Sequence, residues 1–209
     1  MGYILLFLEI VGTISFSVSG TVTGMKKGMD VFGACMLGLT TAVGGGIIRD
    51  LILGITPPAT FVDSRYALIS VVTSIILFMP IIRKILFKNK RLYETLMLLT
   101  DTVGLGVFVV CGEASAISAG FGEKNFLVIF VAVLTGVGGG VLRDIFAGDK
   151  PYIFVKHIYA CAAIIGAVIC KAATDMFGMN IGMVLGFSCV MLIRFVAVKR
   201  RWNLPKIEV

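Results

Sequence analysis

The chain has 209 residues, 58% of them hydrophobic and only 15% charged, with a formal net charge of +7. Counting its 25 glycines, the apolar share reaches about 70%, against about 45–50% in a soluble domain. Too little polar surface remains to cover a 22.4 kDa sphere, so the chain must meet lipid. A soluble enzyme, a nucleic-acid-binding domain and a disordered scaffold are excluded.

A transmembrane helix needs about 20 mostly apolar residues. Seven windows qualify, at about 3–24, 31–53, 66–87, 95–119, 126–147, 153–173 and 179–198. The expected fold is an all-α membrane protein of seven transmembrane helices joined by short connectors. The first window has no basic residue ahead of it, since the first is Lys26; it lacks the basic leader of a signal peptide and is expected to stay as a span. Cys35, Cys111, Cys161, Cys170 and Cys189 all fall in windows, with no C-x-x-C spacing, and read as small packing residues.

Seven spans divide the 19 Lys and Arg unequally. Fourteen fall on the face that carries the C-terminus, including the runs Arg83–Arg91 and Lys199–Lys206 and the residue Arg194. Three, Arg65, Lys124 and Lys171, fall on the other, and Arg49 and Arg143 lie inside windows. Basic residues accumulate on the cytoplasmic side. The expectation is a multi-pass protein of the cell (inner) membrane with its N-terminus outside and its C-terminus in the cytosol. Anionic lipids are expected partners of the basic runs, and His157, the sole histidine, reads as interfacial.

The strongest signal is self-similarity. Residues 39–54, LTTAVGGGIIRDLILG, realign on 133–148, VLTGVGGGVLRDIFAG. Glu9, Gly12 and Phe16 of the first window match Asp101, Gly104 and Phe108 of the fourth, and Pro58, Phe61 and Tyr66 match Pro151, Phe154 and Tyr159. Each copy holds three spans, an odd number, so the second enters the membrane from the opposite side. The expected organisation is two inverted three-helix repeats plus one C-terminal helix, with boundaries at 1–90, 91–175 and 176–209. Inverted repeats characterise proteins that move solutes past their interface.

Within the bilayer, Gly44, Gly45 and Gly46 recur as Gly138, Gly139 and Gly140. Three glycines in a helix interior invite a break, at about 1 kcal/mol each relative to alanine, and a break would turn carbonyls toward a polar pathway. The alternative is close packing through small residues. Arg49, Asp50, Arg143 and Asp144 follow one turn later. Adjacent helix positions point about 100° apart, so each Arg is expected to find an acid across the bundle: Arg49 on Asp144 or Asp101, Arg143 on Asp50 or Glu9. Glu9, Asp50, Asp101 and Asp144 against two arginines leave −2, or −3 with Glu113, which favours cations. No nucleophile–base set, phosphate loop, cofactor motif or metal-ligand cluster appears, so no enzyme is expected.

Paired GGG-x-x-RD motifs in spans two and five of such a chain resemble the trimeric intracellular cation (TRIC) channel family, whose bacterial branch is also labelled glycine transporter domain. The resemblance covers residues 3 to about 198. It implies a homotrimer, kinks in the second and fifth helices at the glycine triplets, and a pathway in each protomer for monovalent cations, potassium and sodium, with no cofactor. The alternative function is a secondary transporter of a small amino acid such as glycine.

Overall fold

The computed structural model describes residues 3–155, 158–200 and 202. Lys156, His157, Arg201 and Lys206 lie outside the described residues. Among the described residues ten α-helices follow in chain order: α1 Tyr3–Lys26, α2 Val31–Ile52, α3 Ala59–Val62, α4 Arg65–Phe78, α5 Pro80–Lys88, α6 Lys90–Ala116, α7 Asn125–Phe146, α8 Tyr152–Val155, α9 Tyr159–Phe177 and α10 Met179–Lys199. Six of them, α1, α2, α6, α7, α9 and α10, are long and apolar enough to cross a membrane. The protein is an all-α membrane protein.

The third span differs from the straight helix expected over 66–87. It is a pair, α4 and α5, bent by 71°. Pro80 forces the bend, because it lacks an N–H and pushes the residue before it out of the helical region. Met79 accordingly sits at φ −55, ψ 136. The 14 residues of α4 reach about 21 Å, less than the hydrocarbon thickness of about 30 Å. Beyond the bend α5 carries Arg83, Lys84 and Lys88, with Ile81 and Ile85 exposed.

Helices α1, α2 and α4 pack together, as do α6, α7 and α9, while α10 lies on α9 and α6. The two groups meet through α2 on α7 and α1 on α6. Lipid tails are as apolar as leucine, so small residues and buried polar contacts hold such helices together. Between α1 and α4, Ser17 donates to the Ser70 carbonyl at 2.9 Å and Thr21 and Ser74 share a hydrogen bond at 2.7 Å. Replacing Ser74 with alanine should cost about 0.6–2 kcal/mol, read as a lower unfolding midpoint in detergent; an unchanged midpoint would show the seam to be idle. All five cysteines are free.

Candidate functional site: two charged stations astride a glycine crossing

The GGG-x-x-RD-x-x-x-G segment folds identically in both copies. Helix α2 ends at Ile52 and α7 at Phe146. The glycine that follows each, Gly54 or Gly148, adopts φ of +73 or +71, the left-handed conformation that glycine enters without a Cβ penalty. Ile55 N–H then donates back to Asp50 O, and Asp149 N–H to Asp144 O, each at 2.8 Å. This turn aims each aspartate at the chain that follows. Asp50 Oδ2 accepts from Ala59 N–H at 2.8 Å at the start of α3, and Asp144 Oδ2 from Tyr152 N–H at 2.7 Å at the start of α8.

The cross-bundle partners expected for the arginines are not the ones formed. Arg49 Nε donates to its own neighbour Asp50 at 2.8 Å, and Arg143 Nε does the same to Asp144 at 2.8 Å. The 100° separation applies to the Cβ directions, and an arginine stem is long enough to span it once the turn fixes the aspartate. Arg143 also reaches Asp101 Oδ1 at 2.7 Å and the Ser19 hydroxyl. Neither Arg49 with Asp144 or Asp101 nor Arg143 with Asp50 or Glu9 could meet, because the two motifs lie at opposite ends of α1. Glu9, near its start, accepts from the Tyr66 hydroxyl, whereas Lys27, just past its end, pairs with Asp149 at 2.6 Å.

The break expected at the glycine triplets does not occur either: α2 and α7 stay helical through Gly44–Gly46 and Gly138–Gly140. The triplets instead let two backbones touch. A Cβ on Gly45 would collide with the Thr135 carbonyl, one on Gly139 with the Thr41 carbonyl, and one on Gly138 would lie 3.2 Å from Gly45 Cα. Phe16 fills the space over Gly104 and Gly139 and packs at a tilt against Phe108, its counterpart in the repeat, with ring centres 5.1 Å apart. Close packing therefore accounts for Gly45, Gly138 and Gly139. Gly46 and Gly140 face the charges: a Cβ there would lie 3.8 Å from Arg49 Nη2 and 3.9 Å from Arg143 Nη2 and Asp101 Oδ1.

The two stations are unequal. At the Glu9 end the Arg49 side chain is 11% exposed, and Glu9 and Tyr66 are half-buried. Beside them the exposed Asp63–Arg65 pair stays ionised, since the Arg65 guanidinium holds the Asp63 carboxyl below the usual carboxylate range. At the Asp101 end Asp101, Arg143, Asp144 and Tyr159 are all buried. Asp101, Arg143 and Asp144 form the floor of a vestibule of about 870 Å³ whose wall includes Lys26, Lys27, Glu94, Asp149 and Arg194. Arg194, expected on the basic rim, is instead 1% exposed, with Nη2 3.8 Å from Asp101 Oδ2 and its guanidinium 4.7 Å from the Tyr159 ring centre. Its position inside the last window, short of the Lys199 run, was the available signal. Tyr66 and Tyr159 were visible only as matched positions in the repeat, and Ser19 carried no signal. Glu113 stands apart, accepting from Thr174 at 3.1 Å near the Lys171–Asp175 pair.

The profile of the family described as Glycine transporter matches residues 6–80 and 98–175. The UPF0126 inner membrane protein YadS of Escherichia coli is 36% identical over 201 residues, which cover 95% of this chain and 94% of that one. A crystal structure of a prokaryotic TRIC channel superposes with a TM-score of 0.87 at 33% identity, over 98% of this chain and all of that one. The chain belongs to the bacterial branch of the TRIC family. A further TRIC structure, the trimeric intracellular cation channel orthologue from Rhodobacter sphaeroides, gives a TM-score of 0.86 at 32% identity, covering 96% of this chain and 100% of that one. With these TRIC channels the present chain shares the whole helical bundle.

Proposed function

We propose that the protein is a cation channel that passes potassium and sodium through each protomer of a homotrimer, along α2 and α7 from one charged station to the other. The observation that carries this reading is the pair of matched acid-rich stations at opposite ends of a single glycine crossing. The four acids Glu9, Asp50, Asp101 and Asp144 outnumber Arg49 and Arg143, and with Arg194 counted the balance is still −1, which favours cations over anions. On this reading the contact of α2 with α7 at Gly45 and Gly139 beneath Phe16 closes the path at its centre. Bending of α2 and α7 at Gly44–Gly46 and Gly138–Gly140 is the movement that opens it.

On this reading the first repeat takes residues 1–90, the second 91–175, and the seventh helix with its tail 176–209. The Asp101 vestibule and the C-terminus face the cytosol and the Glu9 end faces outward, following the basic residues of the rim in the inner membrane. Arg83, Lys84 and Lys88 of α5 offer contacts to anionic lipid. The family description leaves a second function in play, ion-coupled uptake of glycine. Recording from purified protein in a planar bilayer across a potassium gradient tests the two. Discrete openings that reverse toward the potassium equilibrium potential are expected. Electrical silence together with saturable, ion-coupled glycine uptake into liposomes would replace the channel reading with the transporter.

A further inference from the structure

Among the described residues, the formal charge at the two ends of the glycine crossing is not the same. At one end lie Glu9, held by the Tyr66 hydroxyl, and the Arg49–Asp50 pair, a balance of −1, and the neighbouring Asp63–Arg65 pair adds nothing. At the other, Asp101 and Asp144 face Arg143, and the repeat alone would again give −1. Arg194 brings that end to zero. Along the vestibule wall Lys26 and Lys27 are offset by Glu94 and Asp149, the last paired with Lys27 at 2.6 Å.

Arg194 belongs to α10, which has no counterpart in the repeat, so among the described residues none plays its part at the Glu9 end. Its position is fixed. It is 1% exposed, its guanidinium lies over the rings of Tyr159 and Tyr152 at 4.7 and 5.6 Å, and Nη2 is 3.8 Å from Asp101 Oδ2. A cation held over aromatic faces beside a carboxylate keeps both its charge and its place.

We propose that Arg194 makes the ion pathway electrically asymmetric, with a negative mouth at Glu9 and a neutral mouth at Asp101, so that cations pass more readily from the Glu9 end to the Asp101 end than back. The inference rests on the cation-channel reading above and adds a direction to it. A negative mouth concentrates cations before they enter, and the neutral mouth does not. Because the effect is electrostatic, salt screens it. A purely steric role for Arg194 would change the size of the current but not its dependence on salt and polarity.

The test is single-channel recording in symmetrical potassium chloride on the wild type and on Arg194→Gln, Arg194→Lys and Glu9→Gln. The wild type should carry unequal currents at opposite voltages, and the inequality should fade as the salt is raised. Arg194→Gln should level the two currents by raising the smaller, and Glu9→Gln should level them by lowering the larger. Arg194→Lys, which keeps the charge, should retain the wild-type ratio. An Arg194→Gln channel with an unaltered ratio overturns the asymmetry and leaves the cation pathway standing. Should that variant not assemble, an unaltered ratio in Glu9→Gln overturns it equally. A wild type that conducts no cations removes both readings.

Discussion

Gly139→Ala should lower the unfolding midpoint of the detergent-purified protein by about 4–12 °C, while Gly46→Ala should leave it unchanged or raise it. The new methyl at 139 would collide with the Thr41 carbonyl and lie 2.9 Å from the Phe16 ring. Overpacking of this kind costs about 1–3 kcal/mol, and the upper part of that range applies, because the obstacle is helix backbone and not the tip of a flexible side chain. In a protein of this size each kcal/mol moves the midpoint by about 2–4 °C. At Gly46 the nearest atom to such a methyl is Arg49 Nη2 at 3.8 Å, so the helix gains up to about 1 kcal/mol of alanine propensity without a clash. The two glycines occupy the same kind of motif in sequence, so the contrast separates close packing from the motif as such. A Gly139→Ala protein that melts at or above the wild-type temperature would refute the backbone contact.

Asp101→Asn should be the more damaging change, costing about 3–5 kcal/mol, because it removes the acid from a buried cluster and leaves buried positive charge behind. Arg143 would keep Asp144 and the Ser19 hydroxyl but face a neutral amide oxygen in place of the Asp101 carboxylate, and Arg194 would lose the negative charge 3.8 Å away. The matched change in the first repeat, Glu9→Gln, should cost about 1 kcal/mol or less, since Glu9 is half-buried and its Tyr66 hydroxyl can donate to an amide oxygen. Adding Arg194→Gln to Asp101→Asn should recover part of the loss, as residues sharing one network are not additive. Equal midpoints for Asp101→Asn and Glu9→Gln would contradict the unequal burial of the two stations.

The backbone turn after each Arg-Asp explains why sequence spacing misassigned the ion pairs. Gly54 and Gly148 were legible as repeated glycines, but not as the left-handed residues that swing Asp50 and Asp144 onto the backbones of α3 and α8. Once each carboxylate is anchored there, the nearest guanidinium is its own neighbour's. The bend at Met79 could have been read from Pro80 alone, because proline acts on the residue before it whatever the tertiary context.

By itself the sequence determined that the chain lives in lipid, that its spans are duplicated, and that the duplicated motif combines glycines with charges. Composition and internal alignment are properties of order along the chain, and they survive without coordinates. Only the tertiary structure decided what the glycines and charges do. Gly45 and Gly139 serve a backbone crossing because α2 and α7 meet there, and Phe16 lies on Phe108 because the repeats face each other. Arg194, counted with the basic residues of the face that carries the C-terminus, is buried in the wall of the vestibule because α10 packs on α6 and α9. A residue's charge is written in the sequence; the dielectric around it and the partner opposite it come from the helices that close over it.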